Sequence, residues 1–172
     1  MFRLAVLLLS LAAVHPCLAD PITPGQSPPA WEATNWQTKT PLALDQLAGK
    51  VVVVRWLMPG CPFCAKSAGE LNEWYKIYKD QGLVVVGLWF RTKGAVTEEE
   101  IKRQVKKLGL QFPTAYDQGN KTALKWREKL ASASVVIDRK GLVRHIHTGG
   151  DYKEDAKKAL EKIILQLLKE KG

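Results

Sequence analysis

A run of four valines at positions 51–54 continues into Arg55-Trp56-Leu57 and is then followed by Met58-Pro59-Gly60. Uninterrupted β-branched and apolar residues are typical of a buried strand, and a Pro-Gly pair cannot prolong one. A helical pattern begins shortly afterwards and continues to about Asp80. The tetrapeptide Cys61-Pro62-Phe63-Cys64 is therefore predicted to lie at a corner between a buried strand and a helix.

The position of the two cysteines at this corner favours thiol chemistry. Pro62 suits the first position of a helix, because its missing N–H is not needed there and its fixed φ is helical. Cys61 then lies at the helix N-terminus, where unpaired N–H groups and the helix dipole lower a thiol pKa from about 8.5 towards about 3.5–7.5. We predict that Cys61 is the attacking sulfur and that Cys64, one turn later on the buried side, is the resolving one.

Other uses of a C-x-x-C pair fit this sequence less well. A structural zinc site needs four ligands, and no cysteine follows Cys64. A disulfide that closes so small a loop adds little chain-entropy stabilisation. Haem attachment would require histidine at position 65, which is alanine. A redox-active pair is the interpretation that these patterns favour.

The first nineteen residues have the layout of a secretory signal peptide. Arg3 precedes an apolar stretch at 4–14, and Pro16 is followed by the small-residue ending Cys17-Leu18-Ala19. We predict cleavage after Ala19 and a periplasmic or otherwise secreted protein. The apolar stretch, about eleven residues, is shorter than the roughly twenty that a bilayer-spanning helix needs, so no stable membrane anchor is expected after cleavage. A lipoprotein site at Cys17 is a weaker alternative.

Charge and cysteine content restrict the function further. The formal net charge is +9, but basic residues alternate with acidic ones on the predicted helices, and no basic stripe interleaved with aromatics is present. No nucleic-acid partner is therefore predicted. Loss of Cys17 with the leader leaves only the C-x-x-C pair, whereas disulfide-stapled scaffolds carry several spread bridges.

The rest of the chain alternates strand and helix signals. Residues 20–30 form a proline-rich lead-in, and 31–172 are predicted to form one domain. Asn120 is the predicted N-cap of a helix that runs through Arg127. Before the central helix, two short strand-like stretches and a helical turn are predicted within 31–48. After it, a strand is predicted at 83–90, following Gly82, and then a helix from the Thr97-Glu100 capping box to Gly109. The remaining predicted elements are a strand or loop at 112–116, a hairpin of strands 133–137 and 142–148, and a helix from Tyr152 to about Lys169.

This order of elements resembles the exported thioredoxin-like thiol-disulfide oxidoreductases of the TlpA type. The segments that carry the resemblance are 50–64, the helix after it, 82–88 and 135–141. It implies an α/β, thioredoxin-like fold with a central mixed β-sheet, helices on both faces and a short N-terminal extension. It further implies disulfide exchange through Cys61 and Cys64 with Cys-containing protein substrates. An unidentified redox partner would recharge the pair, and no cofactor is expected.

Three positions depart from the family pattern. Ser132 stands where these proteins have a cis-proline; we expect a trans Ala131–Ser132 bond, with the Ser132 hydroxyl near the sulfurs as a substrate contact. Ser67 replaces a glutamate three residues after the second cysteine, and Glu70 is the candidate for its proton-relay role. Arg55 replaces a buried acid. We expect it to reach a sheet edge or a carboxylate, and to lie either near the thiols or facing away.

Further candidates concern the substrate and two alternative functions. Pro62 and Phe63 are predicted substrate contacts, and Trp56, Trp74 and Trp89 fit core or near-site packing. A peroxiredoxin-like thiol peroxidase would use Cys64, although Cys61 then occupies the family's threonine position and Leu57 its proline position. A copper or zinc carrier would use the thiols with His145 or His147, which share one face of a strand.

Overall fold

The computed structural model describes residues 21–38, 40–91, 93–126, 132–148 and 153–171. The predicted leader at 1–19, Ala131 and Tyr152 lie outside these residues. The strands are β1 (Ala33–Thr34), β2 (Val51–Leu57), β3 (Leu83–Trp89), β4 (Thr114–Asp117), β5 (Ser134–Ile137) and β6 (Val143–His147). The helices are α1 (Pro62–Tyr78), α2 (Glu98–Leu108), α3 (Lys121–Trp126) and α4 (Glu154–Lys169). Within the described ranges, none of the helices is long and apolar enough to cross a bilayer.

The strands form one mixed sheet in the order β1-β4-β3-β2-β5-β6. β2 runs parallel to β3, and β3 runs parallel to β4, as βα crossover units require. β5 pairs antiparallel with β2, and β6 closes the hairpin on β5. β2 is thus an interior strand with a partner on each side, which brings the start of β5 next to the end of β2 and the start of α1.

Alternation along β2 builds a core on each face of the sheet. Val52, Val54 and Trp56 pack with Trp126 of α3. Val51 and Val53 pack on the opposite face with side chains of α1 and α4, among them Leu71, Trp74, Leu160 and Ile164. Helices therefore cover both faces, as predicted, and every residue of β2 is buried. Trp56, Trp74 and Trp89 are all core residues, which confirms their predicted packing.

Most predicted elements are present, with differences at the sheet edge. The described residues of segment 31–48 contain one two-residue strand, β1, and a 3₁₀ turn at Asp45–Leu47, so the prediction of two strand-like stretches is wrong for them. Residues 114–117 are a true strand, because β4 pairs with both β1 and β3. Thr97 is confirmed as the N-cap of α2, since its hydroxyl accepts a hydrogen bond from the N–H of Glu100 at 3.2 Å, while the Glu100 carboxylate bonds Arg91.

The cap of α3 differs from the prediction. Both carboxylate oxygens of Asp117 accept backbone N–H groups in the first turn, from Thr122 at 2.8 Å and from Ala123 at 2.9 Å. Asn120 instead bonds the backbone of Arg91 and has a left-handed φ of 56°. Its assignment as the cap is therefore wrong, because its side chain faces a neighbouring loop. The predicted helix end at Arg127 lies outside the described residues.

We predict that Asp117→Ala lowers the free energy of unfolding by about 1–2 kcal/mol, because two N–H groups of α3 lose their acceptor. Urea unfolding of the purified protein measures this change. Asp155→Ala, which removes an exposed carboxylate from α4, is the control and is expected to change stability by less than about 0.5 kcal/mol. Equal losses in the two variants would contradict the capping role of Asp117.

Candidate active site

Cys61 is the N-cap residue of α1. Its backbone is extended, Pro62 takes the first helical position, and the N–H of Cys64 donates to the Cys61 sulfur at 3.3 Å. This N–H is one of the donors that the first turn of a helix leaves unpaired. The predicted location of Cys61 at a helix N-terminus is confirmed.

The two sulfurs differ in exposure. Cys61 is 8% exposed and Cys64 is 1% exposed, and the Cys64 thiol lies against the carbonyl of Trp56 at 4.0 Å. Both thiols are free. Cys61 is therefore the more accessible of the two buried cysteines, as the order of attack and resolution requires.

The pKa values of the two thiols are displaced in opposite directions. Burial tends to raise the pKa of Cys61, but hydrogen bonds from Ser132, from the Cys64 thiol and from the N–H groups of Cys64 and Phe63 outweigh it and lower the pKa. Burial raises the pKa of Cys64 to about 11, and its contact with Cys61 adds to the rise. The pair is thus arranged to hold one proton on Cys64 while Cys61 ionises.

Ser132 lies directly over the two sulfurs. Its hydroxyl is 3.1 Å from the Cys61 sulfur and 3.7 Å from the Cys64 sulfur, and its backbone has a left-handed φ of 64°. The predicted placement of this hydroxyl near the thiols is confirmed. Its role as a substrate contact stays a prediction, and the Ala131–Ser132 peptide bond lies outside the described residues.

Arg55 is completely buried on the α1 face of β2. One arm of its guanidinium donates to the carbonyl of Ser132 and, at 3.2 Å, to the hydroxyl of Ser134. The other arm donates to the hydroxyl of Ser67 at 3.0 Å. Arg55 does not reach a sheet edge, because β2 is an interior strand, and its expected contact with a carboxylate stays a prediction. Of the two orientations considered from the sequence, the one near the thiols is observed.

Glu70 lies two turns from the N-terminus of α1 and is half-buried. One of its carboxylate oxygens, Oε2, is buried without a hydrogen-bond partner among the described residues. The position that precedes it by one turn is Ser67, which bonds Arg55. A proton-relay role for Glu70 stays a prediction.

An exposed apolar surface and a small cleft adjoin Cys61. Phe63 is 43% exposed, Pro62 is exposed beside it, and the Lys66 ammonium lies 5.8 Å from the Phe63 ring centroid. A cleft of about 120 Å³ also borders Cys61. Its lining combines the Cys61 loop with α2: Met58, Gly60, Cys61, Pro62, Ala65, Gln104, Lys107 and Leu108.

The sequence did not indicate the part that α2 takes in this cleft. No part in the site was predicted for this helix, and its Ile101 packs in the cluster that contains both cysteines. Gln104 and Lys107 belong to the polar face of that helix, and only the fold shows that this face borders Cys61.

The two histidines are on the edge strand β6. His147 pairs in register with Ser134 and His145 with Val136, and burial lowers the pKa of His145. Across the part of the chain that the structure describes, no three His, Cys, Asp or Glu side chains are grouped closely enough to hold a metal ion. The described residues thus give the carrier alternative no complete ligand set.

A family model described as Redoxin matches residues 23–164, a span that includes the whole sheet and both cysteines. The chain belongs to the Redoxin family. The chain has the thioredoxin-like fold, as a comparison with solved structures shows. The resemblance to TlpA-type proteins predicted from the sequence is confirmed.

Three relatives illustrate the similarity. The chain is 31% identical to protein DipZ of Mycobacterium tuberculosis over 151 aligned residues. These residues make up 84% of this chain and only 21% of DipZ. The chain is 29% identical over 170 residues to the thiol-disulfide oxidoreductase ResA of Bacillus cereus, which covers 95% of each protein. A crystal structure from Chlorobium tepidum, described as a thiol:disulfide interchange protein DsbE, has a TM-score of 0.75 at 25% identity and covers 86% of this chain and 99% of that one.

We predict that the reduced Cys61–Cys64 pair contains one reactive and one protected thiol. Alkylation by iodoacetamide, followed by peptide mass mapping over a pH series, should modify Cys61 with a midpoint below the ordinary thiol pKa, because its thiolate is hydrogen-bonded. Cys64 should remain unmodified until strongly alkaline pH, near its pKa of about 11. Parallel modification of both cysteines at an ordinary thiol pKa would contradict the asymmetry of the pair.

Proposed function

We propose that the protein is a thiol-disulfide oxidoreductase that reduces or exchanges disulfides in protein substrates through Cys61 and Cys64. The observation that carries the proposal is the pair itself, with an N-cap sulfur whose pKa is lowered and a buried partner whose pKa is raised. The names of the ResA and DsbE relatives describe the same class of activity.

The reaction in the reducing direction has two exchange steps. The Cys61 thiolate attacks one sulfur of a substrate disulfide, so that a Cys61–substrate bond forms and the other substrate sulfur leaves as a thiolate that takes up a proton. Cys64 then loses its proton and attacks the Cys61 sulfur. The second substrate thiol leaves, the Cys61–Cys64 disulfide forms, and two electrons have passed from the pair to the substrate. The reverse sequence oxidises a substrate dithiol.

The surroundings of Cys61 support a protein substrate. Phe63 and Pro62 offer exposed apolar surface beside Cys61, and Pro62 also lines the cleft that Gln104 and Lys107 border. An extended segment that carries the substrate cysteine can lie across this surface, with Ser132 above the sulfurs. A separate redox partner recharges the Cys pair after each cycle.

The site of action is outside the cytoplasm. The proposal rests on residues 1–19, whose basic, apolar and small-residue regions have the layout of a signal peptide cleaved after Ala19. The mature protein is then periplasmic or otherwise secreted.

The peroxidase alternative requires Cys64 to be the attacking thiolate. Cys64 is 1% exposed and burial raises its pKa to about 11, whereas peroxide attack needs an accessible thiolate. The geometry therefore favours disulfide exchange through Cys61.

We predict that Cys61→Ser no longer accelerates the reduction of insulin disulfides by dithiothreitol, because the attacking sulfur is gone. Only the uncatalysed rate should remain. Cys64→Ser should instead trap a mixed disulfide with insulin through Cys61, detected by non-reducing electrophoresis and peptide mapping. Consumption of hydrogen peroxide that survives Cys61→Ser would contradict the proposal and favour the peroxidase alternative.

We predict that Phe63→Ala weakens binding of a protein disulfide such as insulin by about fivefold, as expected if about 1 kcal/mol of apolar contact is lost. The rate with glutathione disulfide, which is too small to cover Phe63, should stay within about twofold of the original protein. Ile77→Ala is the matched control, because Ile77 is 48% exposed at the far end of the same helix. Equal effects of the two substitutions would contradict a substrate contact at Phe63.

A further inference from the structure

The three positions that depart from the TlpA-type pattern meet in the folded protein. Arg55 is on β2, Ser67 is in α1, and Ser132 precedes β5, yet the guanidinium of Arg55 bonds both serines. All three residues are buried. They form one hydrogen-bonded group, named here the Arg55 cluster, directly behind the cysteine pair.

The backbone of Ser132 needs support from its surroundings. A left-handed φ of 64° is unfavourable for a residue with a Cβ, and such conformations persist where neighbouring contacts fix them. Arg55 donates to the carbonyl of Ser132, and the N–H of Trp56 donates to the carbonyl of Ala133 at 3.0 Å. Two successive residues of β2 therefore hold the two peptide groups that follow Ser132.

The fixed backbone determines where the Ser132 hydroxyl points. It lies 3.1 Å from the Cys61 sulfur. A thiolate has no hydrogen to give, so the hydroxyl is the donor whenever Cys61 is ionised, and a hydrogen bond to a charged acceptor is stronger than one to a neutral acceptor. The bond therefore stabilises the thiolate more than the thiol or the disulfide.

The second arm of Arg55 reaches the helix that carries the sulfurs. It donates to the Ser67 hydroxyl at 3.0 Å, and that hydroxyl donates to the carbonyl of Phe63 at 3.1 Å, in the first turn of α1. A planar guanidinium has donors at a fixed separation, and an ammonium does not. Arg55 thus bridges the helix that bears the thiols and the loop that faces them.

We propose that Arg55 is a positioning residue of the redox pair: it holds Ser132 against the first turn of α1, so that the serine hydroxyl stabilises the Cys61 thiolate and, with it, the reduced form of the pair. The inference rests on the proposed function, because it concerns the same two sulfurs. Loss of Arg55 should shift the pair towards the disulfide and slow attack by Cys61 at neutral pH.

A double-mutant cycle tests whether Arg55 acts through Ser132. The variants are Arg55→Met, Ser132→Ala and the two combined, each measured by the pH dependence of Cys61 alkylation and by equilibration with glutathione. At pH values below the Cys61 pKa, each single substitution should lower the alkylation rate of Cys61 about tenfold, as expected for the loss of one hydrogen bond to a charged group. At a pH high enough to ionise Cys61 in every variant, the equilibrium should shift towards the disulfide by a similar factor, about 30 mV. The combined variant should lose no more than either single one.

Two controls separate positioning from general destabilisation and from charge. Val53→Ala weakens the core of the same strand and face without removing any hydrogen-bonding group of the cluster, and should leave both readouts unchanged. Arg55→Lys keeps the positive charge but loses the two guanidinium arms, and should give the same changes in both readouts as Arg55→Met. If Arg55→Met does not fold, Arg55→Lys in the original and Ser132→Ala backgrounds completes the cycle.

Three results would overturn the inference: additive effects in the combined variant, no change on loss of Arg55, or full retention of both readouts in Arg55→Lys. If Cys61 is reactive in the unmodified protein and its reactivity does not change on loss of Arg55, the proposed function still stands. A Cys61 that does not react in the unmodified protein contradicts the proposed function itself.

Discussion

The hydrogen bond from the N–H of Cys64 to the sulfur of Cys61 is the interaction on which the proposed chemistry depends. It exists because β2 ends at Leu57 and Pro62 starts α1, so that Cys61 becomes the N-cap and its sulfur accepts an N–H that would otherwise be unpaired. The same helical turn buries Cys64. One local feature of the backbone therefore makes the two chemically identical side chains unequal, and that inequality sets which sulfur attacks and which resolves.

The rest of the fold keeps this corner in place and completes its polar contacts. β2 is an interior strand of the sheet, with apolar side chains on both faces, so the point where it meets α1 is held by the core. A buried guanidinium is costly unless it is hydrogen-bonded. In this protein it bonds three serine residues around the pair, which joins the strand, the helix and the loop before β5.

Local patterns allowed much of this arrangement to be predicted from sequence. The valine run, Pro62 and the C-x-x-C spacing were enough for β2, α1 and the unequal cysteines, and the position of Ser132 followed from the resemblance. The Arg55 cluster could not be predicted, because its contact with Ser132 joins residues 77 positions apart and depends on the pairing of β2 with β5. The cap of α3 was assigned to Asn120 because that residue is adjacent to the helix, whereas Asp117 reaches it from the end of a strand.

Equilibration of the protein with a series of glutathione redox buffers tests the central claim most directly. Acid quenching, alkylation and intact-mass measurement at each buffer composition give the populations of dithiol, glutathione adduct and intramolecular disulfide. A pair that functions as described passes between dithiol and Cys61–Cys64 disulfide in one two-electron transition, with no adduct accumulating at equilibrium. Persistent adducts on Cys61 without closure by Cys64, or no reaction across the series, would contradict the account.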